Sequence, residues 1–135
     1  MEYQKFKAIR KKVETVPWHP GAPAKEGDKM PKNCYFESHI SVITDNSDQD
    51  REKIKSICKN FNAHLSNNVF KKIEGGKCVV MITLRDYALN FIEFEKRIMA
   101  LNSFLNMNDI KSAGKDIVEF CIYDTKISHD YLWLK

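Results

Sequence analysis

The sequence lacks several features that would assign it to a particular class of protein. No stretch of its 135 residues approaches the roughly 18 consecutive apolar residues of a membrane-spanning helix, and a membrane span is therefore excluded. The first residues, MEYQKFKAIRKKVETV, contain neither the apolar region of about 7 to 15 residues nor the small-residue cleavage site of a secretory signal. We therefore expect a cytoplasmic protein without membrane association.

The cysteines also lack the spacing of a metal site. None of the four belongs to a C-x-x-C pair, and no histidine lies at the spacing found in zinc fingers. We therefore expect no metal and no other cofactor. In the absence of a secretion signal, four free thiols are a better interpretation than two disulfides. The cysteines are Cys34, Cys58, Cys78 and Cys121.

Positive charge is concentrated at one end of the chain. Residues 1–33 hold eight Lys and Arg against four Asp and Glu, whereas the remaining residues hold fourteen of each, so the first segment carries the whole net charge of +4. A basic arm can contact a nucleic-acid backbone without sequence preference. Its candidate contacts are Lys5, Lys7, Arg10, Lys11 and Lys12.

The length and the prolines predict one domain preceded by a tail. A chain of this size can bury one core but not two ordinary ones. All four prolines lie between residues 17 and 31, a composition that continues neither a helix nor a central strand. We predict a basic arm, helical over residues 3–14, and a Pro/Gly-rich connector within 1–33, followed by a single domain over 34–135. Trp18 and His19 are expected to anchor the connector.

The pattern from residue 34 onward alternates between strands and helices. The predicted elements are a strand over Cys34–Thr44, a helix capped by Ser47, two strands joined at the glycines of EGG (residues 74–76), a helix capped by Asp86, and a strand over residues 117–124. This β-α-β-β-α-β order predicts an α+β domain of ferredoxin-like type. Such a domain has a four-stranded antiparallel sheet with two helices on one face.

The predicted fold leaves one face of the sheet uncovered, and this face is rich in polar residues. In the stretch CYFESHISVI (residues 34–43) every second residue is polar, which places Phe36 and Ile40 in the core and Glu37 and His39 opposite. A solvated sheet face needs no function. Two histidines, two glutamates and an arginine on one face nevertheless offer acid–base and anion-binding chemistry. The expected members of this face are Glu37, His39, Ser41, His64, Ser66, Met81, Thr83, Arg85, Glu119, Cys121 and Tyr123.

Two H-x-S words, at His39–Ser41 and at His64–Ser66, suggest a more specific chemistry. They resemble the paired H-x-[ST] motif of the two-histidine phosphoesterases, although here 25 residues separate the histidines and the chain has room for one lobe rather than two. The resemblance implies that the histidines exchange protons with a phosphodiester while the hydroxyls hold the phosphate.

These observations predict roles for individual side chains. Catalytic roles are predicted for His39, His64 and Glu37, with Glu37 or Glu119 orienting a histidine. Arg85 is expected to meet phosphate oxygens with two hydrogen bonds. The other predicted ligand-binding residues are Ser41, Ser66, Thr83, Glu119 and Tyr123.

We therefore predict a domain that binds a small phosphate ester or nucleotide-like ligand on the open sheet face. If it is an enzyme, the expected class is a phosphoesterase-like hydrolase. One alternative is a protein-interaction module, most simply a homodimer formed through the sheet face. A second alternative is nucleic-acid binding through the basic arm.

Overall fold

The computed structural model describes residues 11–45, 47–67, 69–114 and 116–124. These residues form two helices and one sheet of seven strands, in which every pairing is antiparallel. The strands are β1 (Lys12–Thr15), β2 (Tyr35–Thr44), β3 (His64–Leu65), β4 (Lys71–Lys72), β5 (Cys78–Asp86), β6 (Lys111–Ser112) and β7 (Ile117–Asp124), and the helices are α1 (Asp48–Asn60) and α2 (Phe91–Met107).

The predicted four-stranded ferredoxin-like fold is wrong. The strand order is β1-β7-β2-β5-β3, and β4 and β6 pair with β5 and β2, respectively. Compared with the prediction, β1 extends the sheet beyond β7, β6 adds to β2, and the predicted second strand is divided into β3 and β4. Strands of two to four residues span too little of the chain to show a periodic pattern, so the sequence could not indicate them.

The first strand lies in the segment that was predicted to be a helical arm. Residues 12–15 pair with β7, with Lys12 opposite Asp124 and Thr15 opposite Phe120. The predicted helix over 3–14 is therefore wrong at its carboxyl end, and residues 3–10 lie outside the described residues. The domain boundary at residue 33 stays a prediction, with β1 on its amino-terminal side.

Both helices begin at a side-chain cap, one of which was predicted. Ser47 caps α1, where its hydroxyl accepts a hydrogen bond from the backbone N–H of Asp50 at 3.1 Å, as predicted. The predicted cap of α2 is wrong, because Asn90 rather than Asp86 accepts from the first turn. Asp86 instead accepts two backbone N–H groups in the preceding turn. Asp and Asn cap helices equally well, so the sequence alone did not decide between them.

The core lies between the helices and the inner face of the sheet. The ring of Phe36 lies 5.4–5.8 Å from the rings of Phe91, Phe94 and Phe120. The inward residues of β2 and β5 are fully buried around it, as the alternation predicted: Ile40, Val42, Cys78, Val80, Ile82 and Leu84.

The proline-rich connector packs against the same core. Ala22 is buried in the core, and the carbonyl of Pro23 accepts a hydrogen bond from the backbone of Phe91 at 2.7 Å. The ring of His19 lies 6.1 Å from that of Phe120, but Trp18 is 77% exposed. The prediction that Trp18 anchors the connector is therefore wrong.

The glycine turn and the free cysteines are confirmed. Gly75 and Gly76 both have positive φ angles, 78° and 74°, which glycine adopts without steric cost. All four cysteines are free, and burial raises the pKa of the Cys58 thiol to about 12. Within the described residues, no helix combines the length and the hydropathy needed to cross a membrane.

Candidate functional site

Three side chains form a row across the polar face of the sheet. His39 on β2 and His64 on β3 both lie directly opposite Thr83 on the intervening β5. Directly opposite residues of antiparallel strands project to the same face, so the two histidines share one face with Thr83 between them. Two strand spacings place their backbones roughly 10 Å apart.

A chain of hydrogen bonds runs through His39. Its Nε2 atom lies 3.2 Å from Oε1 of Glu37, and its Nδ1 atom lies 3.0 Å from the hydroxyl oxygen of Thr83. Because an ionised carboxylate only accepts hydrogen bonds, Nε2 carries a hydrogen and donates it to Glu37. In the neutral imidazole, Nδ1 then accepts from Thr83. The arrangement of carboxylate, imidazole and hydroxyl is that of a positioned base and a hydroxyl group it can deprotonate.

Glu37 is buried among positive charges. Its side chain is 2% exposed. Nε and Nη2 of Arg85 lie 2.7 and 2.5 Å from its Oε2 atom, and Nζ of Lys12 lies 2.6 Å from Oε1. Burial by itself would raise the pKa of this carboxyl group. The hydrogen bonds from His39 and Lys12 and the charge of Arg85 outweigh burial and lower the pKa to about 2, so Glu37 is ionised at neutral pH.

The Arg85 side chain is also buried, at 3% exposed, and contacts two aromatic residues. Its guanidinium lies 4.3 Å from the centre of the Tyr35 ring, and its Nη1 donates to the hydroxyl of Tyr87 at 3.3 Å. Tyr35 is fully buried and donates its hydroxyl hydrogen to Asp124 at 2.6 Å. Burial and this hydrogen bond raise the pKa of Tyr35 above its ordinary value. These contacts hold Arg85 against Glu37, where it helps fix the carboxylate that orients His39.

An open pocket lies over the histidine row. It has a volume of about 520 Å³, within the range of small-molecule sites. Thr83 forms part of its floor, and both predicted catalytic histidines and Ser66 face it. The lining residues are His39, His64, Ser66, Asn67, Val69, Phe70, Met81 and Thr83.

Four of the predicted ligand-binding residues do not line this pocket, and one of them, Arg85, is buried against Glu37. Ser41 is on the same face, opposite Met81, but does not line the pocket. Glu119 lies opposite Glu37 and lines a different pocket, next to Trp18. Tyr123 was expected on the polar face. An irregularity in the pairing of β1 with β7 interrupts the alternation there, and Asp124 rather than Tyr123 contacts Tyr35.

The structure also adds residues that the sequence did not indicate. Lys12 reaches Glu37 from β1, and Tyr35 packs under Arg85. Asn67 and Phe70 enter the pocket from the segment between β3 and β4. The alternation of β2 already placed Tyr35 on the polar face. No sequence signal connected Lys12 with Glu37, because its segment was predicted to be helical.

The described part of the chain contains no group of three or more His, Cys, Asp or Glu side chains placed to hold a metal ion. Comparisons with protein-family models, with curated proteins and with solved structures each found no match. A function for this chain must therefore be inferred from its own geometry.

Proposed function

We propose that the pocket over His39, Thr83 and His64 binds the phosphate group of a small phosphate ester. The observation that carries this proposal is the row of two imidazoles on either side of one hydroxyl, lining a single pocket with Ser66. Imidazolium and hydroxyl groups donate hydrogen bonds to anionic oxygens, and such charge-assisted bonds are the stronger ones. A phosphate over the row would accept from Thr83 and His64, because both ring nitrogens of His39 already bond to Glu37 and Thr83.

The hydrogen-bond chain couples phosphate binding to proton uptake. While His39 is neutral, the hydroxyl hydrogen of Thr83 is directed at Nδ1 and the oxygen presents lone pairs to the pocket. When His39 is protonated, Nδ1 donates to Thr83, and the hydroxyl hydrogen becomes available to a phosphate oxygen. Glu37 stays ionised and accepts the hydrogen bond from Nε2 in either protonation state of the ring. Phosphate affinity should therefore rise as the pH falls through the range of about 8 to 5, where imidazoles gain a proton.

The same groups supply acid–base chemistry for hydrolysis of the bound ester. In its neutral form His39, held by Glu37, is the base: it takes the proton of the Thr83 hydroxyl as this oxygen attacks the phosphorus, and a water molecule then hydrolyses the phosphothreonine and restores the Thr83 hydroxyl. His64 on the far side of the row is the acid that protonates the leaving oxygen. Arg85 has a positioning role in this proposal, because its contacts with Glu37 and Tyr35 hold the carboxylate in place.

Lys12 bears on the alternative of nucleic-acid binding through the basic arm. Its ammonium group lies 2.6 Å from carboxylate oxygens of both Glu14 and Glu37. These hydrogen bonds outweigh the effect of burial and raise the pKa of Lys12. Because Lys12 already neutralises two carboxylates, the structure favours the pocket over this lysine as the phosphate-binding feature. Lys5, Lys7 and Arg10 lie outside the described residues.

Calorimetric titration with inorganic phosphate and ribose 5-phosphate tests the proposal. Binding at about pH 6 should exceed binding at about pH 8, and buffers of different ionisation enthalpy should reveal proton uptake. His39→Gln and His64→Gln should each weaken binding, and Thr83→Val should reduce the pH dependence to the part that His64 contributes. A chromogenic phosphodiester and monoester, assayed with the same variants, test hydrolysis.

His19→Gln is the matched control, because His19 lies on the connector beside Phe120 and away from the pocket. It should bind phosphate as the unsubstituted protein does. The proposal is contradicted if neither ligand binds, or if His39→Gln and His64→Gln bind as well as the control while all variants unfold at similar urea concentrations.

A further inference from the structure

The edge of the sheet beside the histidine row is bulged, and the bulge brings an aromatic residue to the pocket. The backbone N–H of Ser66 donates to Met81, and that of Phe70 donates to Val79. Between these bonds β5 advances by two residues and the edge segment by four. The two hydrogen bonds therefore enclose two more residues on the edge segment than on β5, and such bulges redirect side chains at sheet edges and next to functional sites.

The pocket therefore has a polar half and an apolar half. The polar half is the row of His39, Thr83 and His64. The apolar half contains Val69, Met81 and the ring of Phe70, which is 66% exposed although it lines the pocket. Phe70 bonds to β5 at Val79, four residues from Thr83 and roughly 13 Å along the strand.

We propose that the ligand is a nucleotide, whose base stacks on Phe70 while its phosphate lies at the histidine row. This inference rests on the proposed function and deepens it by naming the substrate class. A flat aromatic group is the occupant that gains most from an exposed ring, and base–aromatic stacking tolerates every base. The separation along β5 leaves room for a sugar between phosphate and base.

Two further side chains in the pocket suit a nucleotide better than a purely apolar ligand. The side chain of Asn67 lies in the same pocket and offers both a donor and an acceptor, as the edge of a base requires. Met81 supplies a polarizable thioether, which makes favourable contacts with aromatic rings.

Matched ligands separate the base from the phosphate. Inorganic phosphate, ribose 5-phosphate, UMP and AMP are titrated into the full chain under the conditions in which phosphate binds. AMP should bind more tightly than ribose 5-phosphate by about 5- to 140-fold, the range expected for one stacked base, with UMP between them. A dinucleoside monophosphate shows whether the pocket prefers a free nucleotide or the end of a strand, and either preference supports the proposal.

Substitutions at Phe70 test the stacking directly. Phe70→Ala should reduce AMP affinity to that of ribose 5-phosphate and leave the sugar phosphate unaffected, while Phe70→Trp should retain AMP binding. Phe70→Leu, which keeps apolar area without a ring, should resemble Phe70→Ala. The control is Trp18→Ala, which removes an exposed aromatic residue next to Ile117 of β7 rather than beside β5.

The outcomes distinguish the two proposals. The nucleotide inference is wrong, and the phosphate site stands, if phosphate and ribose 5-phosphate bind but AMP binds no more tightly than they do. The same conclusion follows if Phe70→Ala binds AMP with unchanged affinity. If none of the ligands binds, both fail. Self-association of the chain that Phe70→Ala abolishes would assign the ring to a second copy and would also overturn the inference.

Discussion

Replacing Glu37 with glutamine should destabilise the protein strongly at neutral pH and weakly in acid. The substitution preserves the shape of the side chain but removes the charge that Arg85, Lys12 and His39 share. Arg85 would then remain buried but lose its ion pair with the Glu37 carboxylate. Breaking a buried ion pair in this way typically costs about 3 to 5 kcal/mol.

The lowered pKa of Glu37 gives a second value for the stability that this carboxylate contributes. The shift from 4.5 to about 2 corresponds to about 3 kcal/mol of stability at pH 7, since each pKa unit is worth about 1.4 kcal/mol. Because the folded-state pKa is the lower one, this stability is fully present above pH 4.5 and is lost as the pH falls toward 2. At pH 3 less than half of it should remain, by the linkage relation.

Urea unfolding of Glu37→Gln and of the unsubstituted protein at pH 7 and pH 3 measures both effects. The difference in unfolding free energy should be about 3 kcal/mol at pH 7 and should shrink by about half or more at pH 3. Glu52→Gln serves as the control, since Glu52 is exposed on α1 and forms an ion pair with Lys55 at 3.8 Å. Its effect should stay within about 0.5 kcal/mol. The reasoning is refuted if Glu37→Gln costs less than about 1 kcal/mol at pH 7, or costs the same at both pH values.

Three further predictions concern parts of the structure outside the pocket. Lys12→Met should cost about 1 kcal/mol in urea unfolding and should move the His39 imidazole signals, since Lys12 and His39 contact the same oxygen of Glu37; unchanged signals would argue against that shared contact. Asn90→Ala should cost about 1 kcal/mol through loss of the α2 cap, and a neutral result would show that the cap contributes little. Among the four cysteines only Cys34 is incompletely buried, so a thiol reagent should modify one cysteine in the native protein and all four in urea. Rapid reaction of a second thiol without denaturant would contradict the burial.

The long elements of the fold could be predicted from the sequence, and the short ones could not. The alternation of β2, β5 and β7 and the apolar faces of α1 and α2 extend over eight residues or more, enough for a period to be visible. Strands β3, β4 and β6 have two residues each. They are strands because their backbones pair with β2 or β5. Missing them led to a ferredoxin-like prediction for what is a wider sheet.

The candidate site shows a similar division. Alternation alone placed Glu37, His39, Thr83 and Arg85 on one face, and the register confirms that placement. Alternation could not show whether that face is solvated or buried, because both cases give the same pattern of polar residues. The ion pair between Glu37 and Lys12 of β1 joins residues 25 positions apart, and no local sequence signal points to it.

The position of Phe70 depends on the bulge between β3 and β4. The sequence HLSNNVFKKI was predicted to be one continuous strand, in which Phe70 would have been one residue of an unbroken alternation. An unbroken ladder that keeps His64 opposite Thr83 would place Phe70 opposite Lys77, and the two extra residues of the bulge bring it instead beside Val79, nearer to the row. A pocket that joins Phe70 to the histidines therefore became visible only with the structure.

The most direct test of the account is an imidazole NMR titration of the full chain with ribose 5-phosphate at about pH 6. The account predicts that the signals of His39 and His64 both move, with the same dependence on ligand concentration, while those of His19 stay constant. Movement of one of the two pocket histidines alone, or of neither, would contradict a shared phosphate site.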